Sequence, residues 1–195
     1  MLDLTDHPLI LASASPRRKW LLSELGLPFK TEPRNAEETY GPELKRHEIP
    51  EFLASKKADA FSEDEFDDGK IVLTSDTIVW INGYELNKPK DEVEAKLMLQ
   101  SLSGAQHEVY TGICLRWKGN RIVDHDLTKV QFKELTEAEI DYYIATYSPM
   151  DKAGAYGIQE WIGYIGIEKI EGCYFNVMGL PLRKVYSGLK QILDQ

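Results

Sequence analysis

Three segments of this 195-residue sequence carry residue types able to do chemistry. The first is Ser13-Ala14-Ser15-Pro16-Arg17-Arg18. Ser15 stands where a helix N-cap would and Pro16 suits the first helical position, so a helix is predicted to start here. The first turn of a helix already carries partial positive charge and unpaired N–H groups, so Arg17 and Arg18 are unfavourable there unless an anion arrives. Hydroxyls, amides and two guanidinium forks together suit phosphate oxygens. Two surface arginines beside a capped helix are the competing account, and the run lacks the Gly-x-x-x-x-Gly-Lys-[Ser/Thr] pattern of a P-loop.

The second is Asp76, a carboxylate inside the β-branched run Ile71–Ile81 and flanked by Ser75 and Thr77. Charge inside a strand is unfavourable unless the strand ends at a ligand site. A carboxylate so placed can bind Mg²⁺ or orient a water, and an edge-strand aspartate facing solvent is the alternative. Glu37-Glu38 offers further metal oxygens, and Lys57 and Lys88 could reach a polyphosphate. Singly, these four are ordinary surface charges. The third is Asp151-Lys-Ala-Gly-Ala-Tyr-Gly-Ile-Gln159, where small residues permit close backbone approach and the Gln159 amide can pair with a base edge. A glycine-rich turn explains the same spacing. His7, His47, His107 and His125 lack zinc-motif spacing, and the absence of a Gly-x-Ser-x-Gly elbow disfavours acyl transfer.

Positioning these groups requires elements that the patterning supplies. Pro8–Ser13 reads as a short buried strand, followed by a helix that ends at Gly26. Residues 28–50 read as a polar connection, then a helix over Glu51–Ser62 and an acidic loop over 63–69. After the Ile71–Ile81 strand, Asn82-Gly83 is a hairpin signal. Asp91 with Glu94 starts a helix that stops before Gly104, and two strands follow over Val109–Trp117 and Arg121–Phe132. The Thr136/Glu139 capping box opens a helix to Tyr147. Gly154–Val177 reads as glycine-punctuated β segments, and Leu182–Leu193 as a closing amphipathic helix behind Pro181. Hairpins among alternating helices and strands predict an α/β fold with a mixed β-sheet and flanking helices.

Length implies one domain over 1–195. A hydrophobic fraction of 43% and a charged fraction of 28% exclude general disorder. The net charge of −9 argues against duplex-nucleic-acid or anionic-membrane binding but leaves a small anionic ligand open. Two cysteines make no disulfide framework, so reduced thiols are expected. No apolar run is long enough to span a membrane, and no basic leader is evident. The expected location is cytoplasmic.

Taken in order, Leu11-Ala-Ser-Ala-Ser-Pro-Arg-Arg18, Glu37-Glu38, Lys56-Lys57-Ala58, Ser75-Asp-Thr-Ile-Val79, Asn87-Lys-Pro89, Leu102-Ser-Gly104, His107-Glu-Val-Tyr-Thr-Gly112, Asp151–Gln159 and Gly179-Leu-Pro181 resemble the Maf family of nucleoside triphosphate pyrophosphatases. The resemblance covers nearly the whole chain and is weaker before Leu9 and over Trp161–Glu171. It implies two lobes around a deep cleft, and Mg²⁺- or Mn²⁺-dependent hydrolysis of a nucleoside triphosphate to monophosphate and pyrophosphate. By position it makes Asp76 the proton acceptor and a metal ligand and Glu38 a metal or catalytic carboxylate. Ser13, Arg17, Arg18, Lys57 and Lys88 take phosphate-side positions. Arg17, Thr77 and Gln159 resemble the branch acting on dTTP and UTP, with modified pyrimidine nucleotides tolerated and a house-cleaning role implied. Two rivals are an ITP-type purine pyrophosphatase and a nucleotide-binding regulator of septum formation. The resemblance also suggests a homodimer.

Overall fold

In the computed structural model, which describes residues 2–194, the first apolar run forms the buried strand β1 (Leu9–Leu11). Helix α1 (Pro16–Ser23) follows with Ser15 as N-cap, its hydroxyl accepting the Arg18 backbone N–H, and Pro16 in the first turn. Gly26, at φ +66°, takes the left-handed conformation that lets the chain leave the helix. The polar connection contains a strand that composition concealed: β2 (Phe29–Thr31) lies parallel to β1, with Leu9 opposite Phe29. At three residues and half in solvent, it has no alternation to read.

Helix α2 (Glu48–Ala58) begins before the expected Glu51 and takes in Pro50. A proline in the first turn forfeits no helical hydrogen bond, because those N–H groups have no intrahelical acceptor. The helix ends at Ala58 rather than Ser62. The acidic run is also not a plain loop, because residues 63–66 form a 3₁₀ turn closed by a Ser62/Glu65 capping box and Phe66 is buried.

Strand β3 (Ile71–Ile81) turns through Asn82 and Gly83, both at positive φ, into antiparallel β4 (Tyr84–Leu86). Helix α3 (Glu92–Leu102), capped by Asp91, leads to β5 (Gln106–Trp117) and β6 (Asn120–Phe132). Helix α4 (Glu137–Tyr147) starts on the expected Thr136/Glu139 box. Beyond it the β reading of 154–177 is corrected. The segment holds a 3₁₀ turn at 153–155, helix α5 (Trp161–Gly166), strand β7 (Ile167–Glu171) and helix α6 (Tyr174–Val177). Buried Ile162 and Gly166 have helical i, i+4 spacing that isoleucine-rich composition masks, and a Cβ at Gly163 would overlap the Ile158 carbonyl. Helix α7 (Leu182–Leu193) closes the chain, burying Val185, Gly188, Leu189 and Ile192 along one stripe.

The seven strands form one sheet in the order β2-β1-β3-β5-β6-β7, with β4 on β3. Parallel pairs (β1 with β2 and β3) and antiparallel pairs (β3 with β4, β6 with β7) make it mixed, as expected. Two units divide the chain. One takes the residues to Asp76, Thr111–Asp126 and those from Gly179; the other takes Thr77–Tyr110 and Leu127–Met178.

In the first unit, Ile10 and Val72 of the sheet and Ala12 just past β1 pack with Phe61 and Phe66. Ala54 and Ala58 bring α2 close onto β5 beside Cys114, whose thiol burial pushes up to about 11. A Cβ on Gly112 would overlap the Pro50 carbonyl, so glycine is what lets the helix backbone lie against the strand. Arg116 is buried and donates to the Ala58 carbonyl at the end of α2 and to the Phe61 carbonyl three residues beyond it, at 3.0 and 2.7 Å. In the second unit, Asn176 donates to the Val109 carbonyl and the Thr128 hydroxyl at 3.0 and 2.9 Å. His107 packs between Phe132 and Tyr156, and burial holds its pKa down at about 3. Both cysteines are free thiols, and among the described residues no helix is long and apolar enough to cross a membrane.

Candidate active site

Strand geometry decides which way the Thr74-Ser75-Asp76 run points. Alternate residues face opposite sides, so Thr74 and Asp76 share one face and Ser75 takes the other. The Thr74 hydroxyl donates 2.6 Å to the Ala54 carbonyl of α2. Lys57 lies three residues further along that helix, on the same side of it. The bond thereby sets the register that brings Lys57 opposite Asp76.

The Lys57 ammonium contacts the Asp76 carboxylate and sits 2.8 Å from Glu38 Oε1. The Asp76 and Lys57 side chains are 12% and 16% exposed against 49% for Glu38, so the inner pair is shielded while the third group meets water. Two carboxylates sharing one cation form a site of hard oxygens that a divalent ion could enter by displacing the ammonium. The donor set therefore fits the expected Mg²⁺ or Mn²⁺.

On the opposite face, Ser75 Oγ donates to the Gly179 carbonyl at 3.1 Å. Arg18 reaches the same place: its Nε donates to the Gly179 carbonyl at 2.8 Å and its Nη1 to the Ser75 carbonyl at 2.7 Å. Desolvation lowers the Arg18 pKa from the ordinary guanidinium value, Asp76 and Glu38 oppose that shift, and Arg17 adds to it. Arg17, Arg18, Glu38 and Asp76 thus act within one electrostatic field. Ser13 accepts the Ser15 backbone N–H at 3.2 Å, shaping the turn before α1.

Lys57, Asp76 and Glu38 are thus brought together with Arg17 and Arg18 close enough to act on one field, while Ser13 lies in the same unit at the turn before α1. Arg18 differs in part from the phosphate role expected of it, since two of its donors hold backbone carbonyls. Thr74 is a positioning residue that sequence reasoning missed, and Gly179 one that it noted only within the Gly179-Leu-Pro181 segment. Thr74 gave no signal, being a β-former in a β run. Gly179 offered one in the residue type itself, and its φ of +104°, open to glycine and strained for other residues, gives the physical reason.

Thr77, Lys88 and Gln159 belong to the second unit. Thr77 follows Asp76 in β3 and is half-buried, and Lys88 is exposed. The segment that ends in Gln159 is tied down by hydrogen bonds. Gly154, at φ +69°, donates its N–H to the Asn87 carbonyl at 3.2 Å, and Gly157 donates to the Tyr143 hydroxyl at 3.0 Å. The Tyr156 hydroxyl bonds His107 Nε2 at 2.7 Å. Beyond these supports the Gln159 Oε1 is buried and has no hydrogen-bond partner among the described residues. A buried amide acceptor left this way is costly unless a ligand donor meets it.

Comparison with known proteins gives the family. Residues 8–192 match the family model described as Maf-like protein. The chain is 50% identical over 192 residues to the dTTP/UTP pyrophosphatase of Phocaeicola vulgatus, covering 97% of this chain and 98% of that one. It is 48% identical over 191 residues to the protein of the same name from Christiangramia forsetii, covering 98% and 97%. With the Bacteroides thetaiotaomicron protein of that name the figures are 46% over 195 residues, 97% and 98%.

Proposed function

The chain belongs to the Maf family, and from that membership we propose that it hydrolyses dTTP and UTP to the nucleoside monophosphate and pyrophosphate. The observation that carries the chemistry is the Asp76–Lys57–Glu38 arrangement, shielded at one end and open to water at the other. The relatives' shared name carries the choice of substrate. One family model spanning both units supports reading 1–195 as a single domain. We place the protein in the cytoplasm as a homodimer that clears modified pyrimidine triphosphates as well, as the family resemblance implies.

The reaction moves a water oxygen onto the α-phosphorus while the bond from that phosphorus to the α–β bridging oxygen breaks. Little covalent chemistry falls to the protein, so alignment and charge dominate. Asp76 accepts the proton that the water loses. Asp76 and Glu38 would hold a divalent cation, which when bound would supply positive charge to neutralise the phosphates. Lys57, Arg17 and Lys88 bind phosphate oxygens, with Ser13 and the N-terminal turn of α1 offering hydroxyl and N–H donors. Arg18 holds the Ser75–Asp76 backbone in place through its carbonyl bonds.

Release of pyrophosphate from a panel of triphosphates, with and without EDTA, tests this reading. Strong EDTA-sensitive release from dTTP and UTP is the expected outcome; ITP-selective release, or binding without release, would replace it with one of the rivals. Glu38→Gln weakens one metal oxygen, so the Mg²⁺ concentration at half-maximal rate rises on the order of tenfold, about 1.4 kcal/mol. At saturating Mg²⁺ the rate returns near the parent's. A titration unchanged by the substitution removes Glu38 from the metal's ligands.

Uracil and thymine present an N3–H donor between two carbonyl acceptors. The Gln159 amide can accept from N3–H through Oε1 and donate to a carbonyl through Nε2. Gln159→Leu loses both bonds, and kcat/KM for UTP falls roughly tenfold to a hundredfold, the worth of about 1–3 kcal/mol of edge recognition. Equal kcat/KM in parent and variant would rule out base reading by this residue.

A further inference from the structure

The first unit contains a second cluster of ligand atoms that the pyrophosphatase reaction does not use. His47, Glu51 and His125 each offer one nitrogen or oxygen, and the three atoms lie within 4.8 Å of one another. None of the three residues is buried. We propose that they bind a zinc-class transition-metal ion at a site separate from the Mg²⁺ site.

The backbone builds this cluster from two elements. Glu51 donates its N–H to the His47 carbonyl at 3.2 Å, closing the first turn of α2, so the two side chains rise from one face at i, i+4 spacing. His47 occupies the N-cap position without capping the helix through its side chain. From β6, His125 places Nδ1 2.7 Å from Glu51 Oε1. Its ring stacks on that of His47, with centroids 4.4 Å apart and planes 25° from parallel.

Donor chemistry sets the class of ion. Two nitrogens and one oxygen, with positions left for water, suit zinc, cobalt or nickel, whereas magnesium takes oxygens. The positive end of α2 opposes a cation here, and Glu48 and Glu51 in its first turn offset that field. Glu51 and Lys57 are six residues apart on α2, about 9 Å along its axis, and the two sites share no ligand.

The test uses the full chain, stripped with chelator and dialysed against micromolar zinc chloride, with bound zinc measured by atomic emission. The parent and Asp76→Asn are expected to hold one zinc per chain and to melt at a higher temperature with it. His125→Ala and His47→Ala lose that zinc, or bind it at least tenfold more weakly, and their melting ignores it. Cobalt(II) added to the parent gives a visible spectrum without thiolate charge-transfer bands. Zinc content in both histidine variants equal to the parent's overturns the proposal, as does a parent that holds none or cobalt bands that report cysteine. Should His125→Ala fail to fold, His47→Ala, at the surface of the helix start, decides between these outcomes. Loss of zinc from Asp76→Asn with retention in the histidine variants would place the ion at the pyrophosphatase site instead.

Discussion

Asp76→Asn is expected to lower turnover on dTTP by about three orders of magnitude, within the 10²–10⁴ range of a lost general base. The substitution keeps the shape of the side chain and removes both its charge and its proton affinity. Removing one partner of a shielded ion pair normally leaves the other charge stranded. Here Lys57 keeps Glu38 at 2.8 Å, so the fold tolerates the change. Pyrophosphate release at saturating dTTP and Mg²⁺ gives the rate, and circular dichroism with a melting curve gives the fold. A folded variant within tenfold of the parent's turnover would remove Asp76 from proton transfer. The same experiment at raised Mg²⁺ separates the residue's two roles, since weakened metal binding recovers with added metal and a missing base does not.

How much of the molecule is legible in its sequence depends on whether a signal is local. The Ser15 cap, the Asp91 cap, the Thr136 box and the Asn82-Gly83 turn are local devices, and each forms as read. The short strand β2 has no such device; it exists because Leu9–Leu11 offers a parallel edge to pair with. Segment 154–177 fails for a related reason. Isoleucines there fit a strand by propensity, and burial of Ile162 with Gly166 selects the helix instead. At the site, Asp76 is legible because charge in a β-branched run is anomalous. Its partners are less so: nothing in the local sequence links Lys57 to Asp76, and the Thr74–Ala54 bond that aligns them joins residues 20 apart.

Arg18 shows how a residue with an expected ligand role can serve the frame as well, and its removal carries the largest expected cost to stability. Arg18→Met keeps length and apolar stem while deleting the fork that joins α1 to the Ser75 and Gly179 carbonyls. Hydrogen bonds from a charged donor contribute roughly 1.5–3 kcal/mol each. The sum overstates the loss, because burial of the guanidinium is itself unfavourable, as the desolvation-lowered pKa indicates, and methionine escapes that penalty. Gly179 also keeps the Ser75 hydroxyl at 3.1 Å, leaving only the Ser75 carbonyl to lose a partner outright. A net destabilisation of about 2–3 kcal/mol follows, read as a lower urea midpoint. Turnover should fall on the order of a hundredfold, because a displacement of about 1 Å at the Ser75–Asp76 backbone misplaces the base. Arg18→Lys separates frame from charge: an ammonium retains the field at Asp76 but cannot span two carbonyls in the geometry of the fork. If Lys restores both stability and rate to the parent's values, charge alone is what the position requires and the carbonyl clamp is incidental.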